Sequence, residues 1–170
     1  LAGMAQRPFV LVLDQLDLSR APHVLELGCG TAQFWNENAV RVPGDVILHL
    51  TDLSAGMLSQ AREATVGLRR ALGIVNAEAI PFVDRSFSLV VANHMLYHVA
   101  DKDRAIGEIR RVLRADGALC AATIGTAHLI EVAELVQSYD PALIWWGAQM
   151  ADSFTLENGG GYLTPWFESI

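Results

Sequence analysis

The sequence is poor in cysteine, in basic residues and in long apolar runs, and each scarcity excludes a class of protein. Two cysteines, Cys29 and Cys120, are too few for a disulfide scaffold, and no signal-peptide pattern precedes the first predicted strand. We therefore expect a reducing, cytoplasmic location. Twelve Lys and Arg against nineteen Asp and Glu give a net charge of -7, which disfavours nucleic acid or anionic lipid as a partner. Apolar stretches such as 9–13 and 89–92 fall far short of the roughly 20 residues of a membrane span, so we expect no membrane partner.

What the chain does have is the size and apolar content of one globular domain. It contains 170 residues, of which 52% are apolar, and this is enough for a hydrophobic core. No internal repeat, low-complexity run or linker divides it. We therefore predict a single domain over residues 1–170.

Short apolar runs alternate with segments of helical periodicity. The run 89–92 is continuously apolar, as is typical of a parallel strand covered on both faces. The alternation predicts an α/β fold with a doubly wound, mainly parallel sheet. The predicted strands are 24–27, 46–50, 74–76, 89–92 and 118–124, and the predicted helices are 32–40, 54–73, 102–113 and 127–138, with short helices also at 141–150 and from Thr164.

The first predicted strand ends in a turn with two glycines, Glu26-Leu27-Gly28-Cys29-Gly30. Ligands bind beyond the carboxyl ends of parallel strands, and glycine lets the backbone approach them closely. A dinucleotide-binding turn needs a third glycine, but position 33 is Gln33. The Glu26 carboxylate would repel a pyrophosphate, whereas it suits an ammonium or sulfonium cation. Asp52 ends the second strand, at about the 20-residue offset of an acid that binds a ribose diol.

With these residues, the chain resembles the class I S-adenosylmethionine-dependent methyltransferases, in particular the small-molecule branch described as ubiquinone-biosynthesis-like. Five segments carry the resemblance in the family's order, across most of residues 24–124. They are VLELGCGTA from Val24, LTDLSAGML from Leu50, NAEAIPF from Asn76, FSLVVANHMLYHV from Phe87 and EIRRVLRADGAL from Glu108. The resemblance implies a Rossmann-like methyltransferase fold, S-adenosylmethionine as cofactor and a small organic molecule as methyl acceptor.

Residue by residue, the resemblance places the cofactor at the carboxyl ends of the strands. The implied cofactor-binding residues are Glu26, Gly28, Cys29 and Gly30 beside the methionine part, Asp52 at the ribose hydroxyls, Leu53 and Met57 against the adenine, Asn76, Ala77 and Glu78 at the adenine edge, and Asn93 and His94 after the fourth strand. Where the family often has a third glycine, this chain has Ala32, and where an Asp often binds the adenine amino group it has Asn76.

The candidate catalytic residues His94, Tyr97 and His98 follow the fourth strand, where the methyl group should emerge. Displacement at a sulfonium needs mainly positioning, and it needs a base only if the acceptor is protonated. Either histidine could be that base or could pack on the sheet, and Tyr97 could face the pocket or cover the core. We expect no metal site, because no third ligand stands at a suitable spacing. Cys29 is interpreted as a small buried residue rather than a nucleophile.

Three tryptophans leave two interpretations open. Trp35 either borders the methionine part of the cofactor or, as the safer interpretation, belongs to the core. Trp145 and Trp146 either form a lid over the acceptor or pack on the sheet edge. A basic helix face is interpreted as solvated surface; it consists of Arg110, Arg111 and Arg114.

Members of this family usually add an antiparallel hairpin after the last helix, and nothing after Phe154 resembles one. We therefore predict a sheet without the terminal hairpin. Either the chain is a C-terminally truncated fragment, or the open edge of the fifth strand is covered by the segment 125–170, which would also serve as lid, or by a second copy in a homodimer.

Two alternatives to a methyltransferase stay open. One is a nicotinamide-dependent oxidoreductase on the same fold, against which Glu26 and Gln33 count. The other is a non-catalytic or truncated module that binds S-adenosylmethionine without transferring its methyl group.

Overall fold

The computed structural model describes residues 8–140, 142 and 153–170, which form an α/β fold around a five-stranded parallel sheet of order β3-β2-β1-β4-β5. The doubly wound sheet is thus confirmed, and no strand follows β5 in the described ranges. None of the described helices could span a membrane. The strands are β1 (His23–Leu27), β2 (Ile47–Asp52), β3 (Arg70–Ile74), β4 (Phe87–Asn93) and β5 (Leu113–Ala122); the helices are α1 (Pro8–Asp14), α2 (Gln33–Glu37), α3 (Ala55–Ala64), α4 (Lys102–Val112), α5 (Ile130–Tyr139) and α6 (Gly159–Leu163).

Both faces of the central strand β1 are buried, which is why Val24, Leu25 and Leu27 are all apolar. Val24 packs in a cluster with Trp35 of α2 and Ala61 of α3. Leu25 and its neighbours on the other face pack in a second cluster with the apolar side of α4. The helices therefore cover the sheet from both sides and leave the ends of the strands as the place where polar groups can meet.

The strand register brings three sequence-predicted residues to one edge of the sheet. Leu27 of β1 pairs with Thr51 of β2, so the glycine turn lies beside Asp52. On the other side of β1, Glu26 pairs with Val91 of β4, two residues before Asn93. The carboxyl ends of β1, β2 and β4 are thus neighbours.

The third strand begins earlier than predicted, and the helix before it is shorter. α3 ends at Ala64 rather than at Gly73, which lies inside β3. Thr65 caps the end of α3, with its hydroxyl donating to the Ala61 carbonyl at 2.6 Å. Leu68 continues the helical spacing of α3 and so favours a longer helix in the prediction. β3 lies at one side of the sheet, and none of its residues is fully buried.

Two other helix boundaries also differ from the prediction. α2 covers five residues rather than 32–40, and its N-cap Ala32 is in the left-handed conformation (φ 56°). A 3-10 helix follows at Ala39–Arg41. The helix predicted from Thr164 is wrong, because α6 ends at Leu163 and Thr164 is its C-cap. The predicted helix at 141–150, with Trp145 and Trp146, lies outside the described residues.

The C-terminal segment 163–170 lies beside β5, an edge strand whose one hydrogen-bonded neighbour in the described sheet is β4. A cavity of about 560 Å³ separates them and is lined by Leu119 and Phe167, among others. Trp166 packs against α4 at Gly107, where a Cβ would come within 2.9 Å of the indole. Covering of the β5 edge by a second copy stays a prediction.

Arg111 of α4 clamps the loop 76–86 onto the fold. Its guanidinium donates to the carbonyl oxygens of Ile80 and Phe82, each at 2.8 Å. It also bonds the carboxylates of Asp84 and Glu108. The interpretation of Arg111 as solvated surface is therefore wrong, because its guanidinium forms hydrogen bonds with this loop. The helical pattern of α4 gives no sign of these bonds.

Candidate active site

The glycine turn after β1 has a conformation that other residues rarely adopt. Gly28 and Gly30 have φ values of 66° and 55°. A Cβ at Gly28 would lie 2.7 Å from the Cβ of Met95, which packs against the turn from the loop after β4. The turn is further fixed by its amides: Cys29 donates to the Thr51 carbonyl at 2.8 Å.

Asp52 joins the ends of β1 and β2. Its Oδ2 accepts the Gly30 N–H at 2.9 Å, and its Oδ1 accepts the Ser54 N–H at 2.8 Å. An ionised carboxylate has about four lone-pair positions, so both oxygens can still accept a further bond from a ligand. Asp52 thus fixes the turns after β1 and β2 relative to each other, and it offers acceptor oxygens at the carboxyl ends of the strands.

Glu26 is a buried carboxyl beside the glycine turn, with 2% of its surface exposed. The Trp35 indole N–H donates to its Oε2 at 2.6 Å, and the Asn93 amide donates to its Oε1 at 3.4 Å. Burial raises the pKa of Glu26 to about 7; the bonds from Trp35 and Asn93 lower it, and the nearby Asp52 raises it. The carboxyl is therefore poised between its two protonation states near neutral pH.

Cys29 lies inside the turn but has no feature of an activated thiol. Burial raises its pKa, and the neighbouring carboxylates of Glu26 and Asp52 raise it further. Its Sγ contacts the Gly30 carbonyl at 3.6 Å. The thiol stays protonated, so nucleophilic catalysis at this position is disfavoured.

Two apolar side chains are exposed directly after Asp52. Leu53 is 68% exposed and Met57, in the first turn of α3, is 42% exposed. The N-cap Ser54 between them accepts the Met57 N–H at 3.2 Å, which fixes the start of the helix. They provide an apolar surface next to an acceptor carboxylate, as a ribose with an attached base requires.

The loop after β3 uses its polar groups internally. Asn76 Oδ1 accepts the Glu78 N–H at 2.9 Å, and Ala77 is buried in the core. The Glu78 carboxylate accepts the N–H groups of Ala100 and Asp101, at 3.1 and 3.0 Å. The Glu78 carboxylate therefore points toward the start of α4, and its two hydrogen bonds fix the position of the loop.

His94 follows β4 in a left-handed conformation with φ 52°. The backbone N–H of His94 donates to the Ala122 carbonyl at 2.9 Å, which fixes this turn against the end of β5. Burial lowers the pKa of His94, and the neighbouring His128 lowers it further. The imidazole is accordingly neutral near pH 7 and able to accept a proton.

Tyr97 and His98 lie in the 3-10 helix Leu96–His98. Their rings meet edge to face, with 4.5 Å between centroids. Burial raises the pKa of Tyr97, and the Ser153 hydroxyl donates to the Tyr97 carbonyl at 2.8 Å. The two residues thus contact each other, one half-buried and one exposed.

Sequence reasoning missed three neighbours of the site: the Trp35 bond to Glu26, the Met95 contact with Gly28 and the electrostatic effect of His128 on His94. Only the first had a usable signal, because a buried indole N–H needs an acceptor and Glu26 is the nearest acid in the sequence before the turn. In the described part of the chain, no group of three or more His, Cys, Asp or Glu is arranged to hold a metal ion.

Comparison with known proteins supports this picture. The sequence profile of the methyltransferase domain family matches residues 25–121, which is more than half of the chain. The chain belongs to the methyltransferase domain family. The match begins in β1 and ends in β5, so it includes the glycine turn, Asp52 and the loop after β4.

Curated relatives of this methyltransferase domain act on different kinds of atom. A ubiquinone/menaquinone biosynthesis C-methyltransferase of Stenotrophomonas maltophilia is 39% identical over 98 residues, 55% of this chain and 39% of that protein. A malonyl-[acyl-carrier protein] O-methyltransferase of Methylovorus is 32% identical over 130 residues, 71% of this chain and 44% of that protein. The chain therefore spans less than half the length of these relatives.

Solved structures agree on the fold of the domain. An S-adenosylmethionine-dependent methyltransferase of Methanosarcina mazei superposes with a TM-score of 0.67 at 22% identity, over 91% of this chain and 82% of that one. The [4+2]-cyclase SpnF superposes with a TM-score of 0.60 at 28% identity, over 66% of this chain and 42% of that one. The second neighbour indicates that this fold is not confined to methyl transfer.

Proposed function

We propose that the domain binds S-adenosylmethionine at the carboxyl edge of its sheet and transfers the methyl group to an O, N or C atom of a small organic acceptor. The observation that carries the proposal is the buried Glu26 carboxyl beside the glycine turn, with no Lys, Arg or His paired to it among the described residues. Such a group disfavours a pyrophosphate and favours a cationic ligand.

The described residues fit this cofactor in all three of its parts. Glu26 faces the methionine part, whose ammonium it can pair, and Asp52 offers its oxygens to the ribose hydroxyls. Leu53 and Met57 give the adenine an apolar surface. Asn93 supports the fit, since its Oδ1 is buried without a partner among the described residues and needs a donor.

Catalysis in this proposal is mainly positioning. When bound, the cofactor would supply a methyl group that its positively charged sulfur activates for transfer. The chain holds the donor through Glu26 and Asp52 and shapes the glycine turn with Met95, so that the reacting atoms are aligned. His94, neutral at pH 7, is the proposed base for an acceptor that must lose a proton. Tyr97 and His98 remain predicted residues on the acceptor side of the site. The cytoplasmic location and the homodimer also remain predictions.

Ligand preference tests the proposal directly. We expect calorimetric titration to show binding of S-adenosylhomocysteine and no binding of NAD. Binding of NAD alone would establish the oxidoreductase alternative. Binding of S-adenosylhomocysteine with no methyl transfer to a broad panel of phenols, carboxylic acids, amines and quinones would favour the non-catalytic module, in line with the cyclase among the structural neighbours.

Replacing Asp52 should weaken this binding specifically. We expect Asp52→Asn to lower the affinity for S-adenosylhomocysteine by tenfold or more, because hydrogen bonds to a charged acceptor contribute about 1.5 to 3 kcal/mol each. The matched control is Asp45→Asn, since the exposed Asp45 precedes β2 at its opposite end. Equal affinities of the two variants would mean that the ribose is held elsewhere.

A further inference from the structure

The indole of Trp35 is committed to one acceptor. The side chain is fully buried in α2, and its Nε1–H lies 2.6 Å from Glu26 Oε2. The Phe34 ring packs edge-on against it, with 4.7 Å between centroids. Because an indole is a donor and never an acceptor, this bond fixes the position of one carboxylate oxygen.

The other carboxylate oxygen is weakly engaged. The Asn93 amide nitrogen lies 3.4 Å from Glu26 Oε1, close to the upper limit for a hydrogen bond. The Asn93 Oδ1 is buried and has no partner among the described residues. Glu26 Oε1 and Asn93 Oδ1, on the adjacent strands β1 and β4, are therefore two acceptor oxygens that lack a strong donor.

The side chains around this pair favour a cation. Asp52 adds a second carboxylate from β2, and the Cys29 thiol of the turn stays neutral. From the loop after β4, His94 is the nearest titratable group in sequence, and its neutral form is favoured. A group with several N–H donors and no acceptor, such as an α-ammonium, matches two acceptor oxygens in this setting.

We propose that Trp35 is a positioning residue of the cofactor site, which holds the Glu26 carboxylate so that its Oε1 and Asn93 Oδ1 together accept the α-ammonium group of S-adenosylmethionine. The inference rests on the proposed function. It replaces the interpretation of Trp35 as plain core: the ring packs in the core, while its N–H acts through Glu26 on a ligand that Trp35 does not touch.

The test separates positioning from packing by the choice of ligand. S-adenosylhomocysteine carries the ammonium group, whereas 5′-methylthioadenosine shares the adenosine part and lacks it. We expect Trp35→Phe to weaken binding of S-adenosylhomocysteine by about tenfold and to leave the affinity for methylthioadenosine unchanged. Phe34→Leu is the packing control, and it should change the ratio of the two affinities far less.

The pH profile supplies a second readout. Ammonium binding needs an ionised Glu26, and the Trp35 bond favours the ionised form. In a pH series spanning the pKa of Glu26, we expect the midpoint for S-adenosylhomocysteine binding to move to higher pH in Trp35→Phe. In a Glu26→Gln background, removal of the indole should have little further effect.

Benzothienylalanine at position 35, which keeps the ring shape and replaces the N–H with sulfur, covers the case in which Trp35→Phe does not fold. Unchanged S-adenosylhomocysteine affinity in this isostere, or equal losses for both ligands, would overturn the role of Trp35 alone. Failure of the unmodified protein to bind either ligand would instead overturn the proposed function.

Discussion

Gly28→Ala is expected to destabilise the domain by about 3 kcal/mol, the sum of a left-handed backbone penalty and overpacking. The alanine would have to adopt a φ of 66°, and its Cβ would lie 2.7 Å from the Met95 Cβ. Since both atoms are the first of their side chains, no rotamer change relieves the contact. Urea denaturation of the variant and the parent measures the loss, and cofactor affinity should fall with it because the turn must move.

Two further variants separate the clash from the backbone strain. Gly30→Ala carries a similar φ of 55° and no contact within 4 Å, so we expect a loss of only about 1 kcal/mol. In the Gly28→Ala background, Met95→Ala keeps the clashing Cβ and should not restore stability. Met95→Gly removes that Cβ and should restore part of it. Equal losses at Gly28 and Gly30 would refute the contact with Met95.

The parts of the site that sequence predicts are those fixed by local chemistry. The strand β1, its glycine turn and Asp52 follow from a buried apolar run, two glycines and an acid at a set offset, and all of them meet at one edge of the sheet. These features are short in sequence, and each has one common structural solution. The α/β class can be predicted for the same reason, because the alternation of short apolar runs with helical segments is also a local feature of the sequence.

The parts that sequence does not predict depend on contacts between distant segments. β3 lies at an edge and is half exposed, so the helical spacing of Leu68 outweighs its weak strand pattern. Arg111 meets the loop 76–86 across 29 to 31 residues of sequence. Met95 reaches Gly28 from the end of another strand. The residue types of these partners are those of ordinary surface or core positions, so the sequence gives no sign of their contacts.

The stability of the ligand-free domain should fall as the pH rises toward neutrality, because of Glu26. Its pKa is about 7 in the fold against 4.5 as the ordinary value, so between these values the folded state binds more protons than the unfolded state. A raised pKa therefore contributes stability that is fully present below pH 4.5 and is lost as the pH rises through about 7. At 1.36 kcal/mol per pKa unit, the loss is about 3 kcal/mol.

Glu26→Gln should remove this loss and expose an opposition between stability and binding. The amide of the variant stays neutral, can accept the Trp35 N–H and can donate to Asn93 Oδ1 if the Asn93 amide turns. Above pH 7 we expect its free energy of unfolding to exceed that of the parent by about 2 to 3 kcal/mol, while its affinity for S-adenosylhomocysteine drops at least tenfold.

Urea denaturation at a series of pH values, with Glu63→Gln of α3 as the exposed charge control, measures the difference between variant and parent. A gap that does not widen between pH 4.5 and 7 would show that Glu26 is ionised in the fold throughout. A wider gap together with unchanged cofactor affinity would remove Glu26 from the ligand site. A more stable, weaker-binding variant would indicate that the domain keeps a costly buried carboxyl because the cationic ligand needs it.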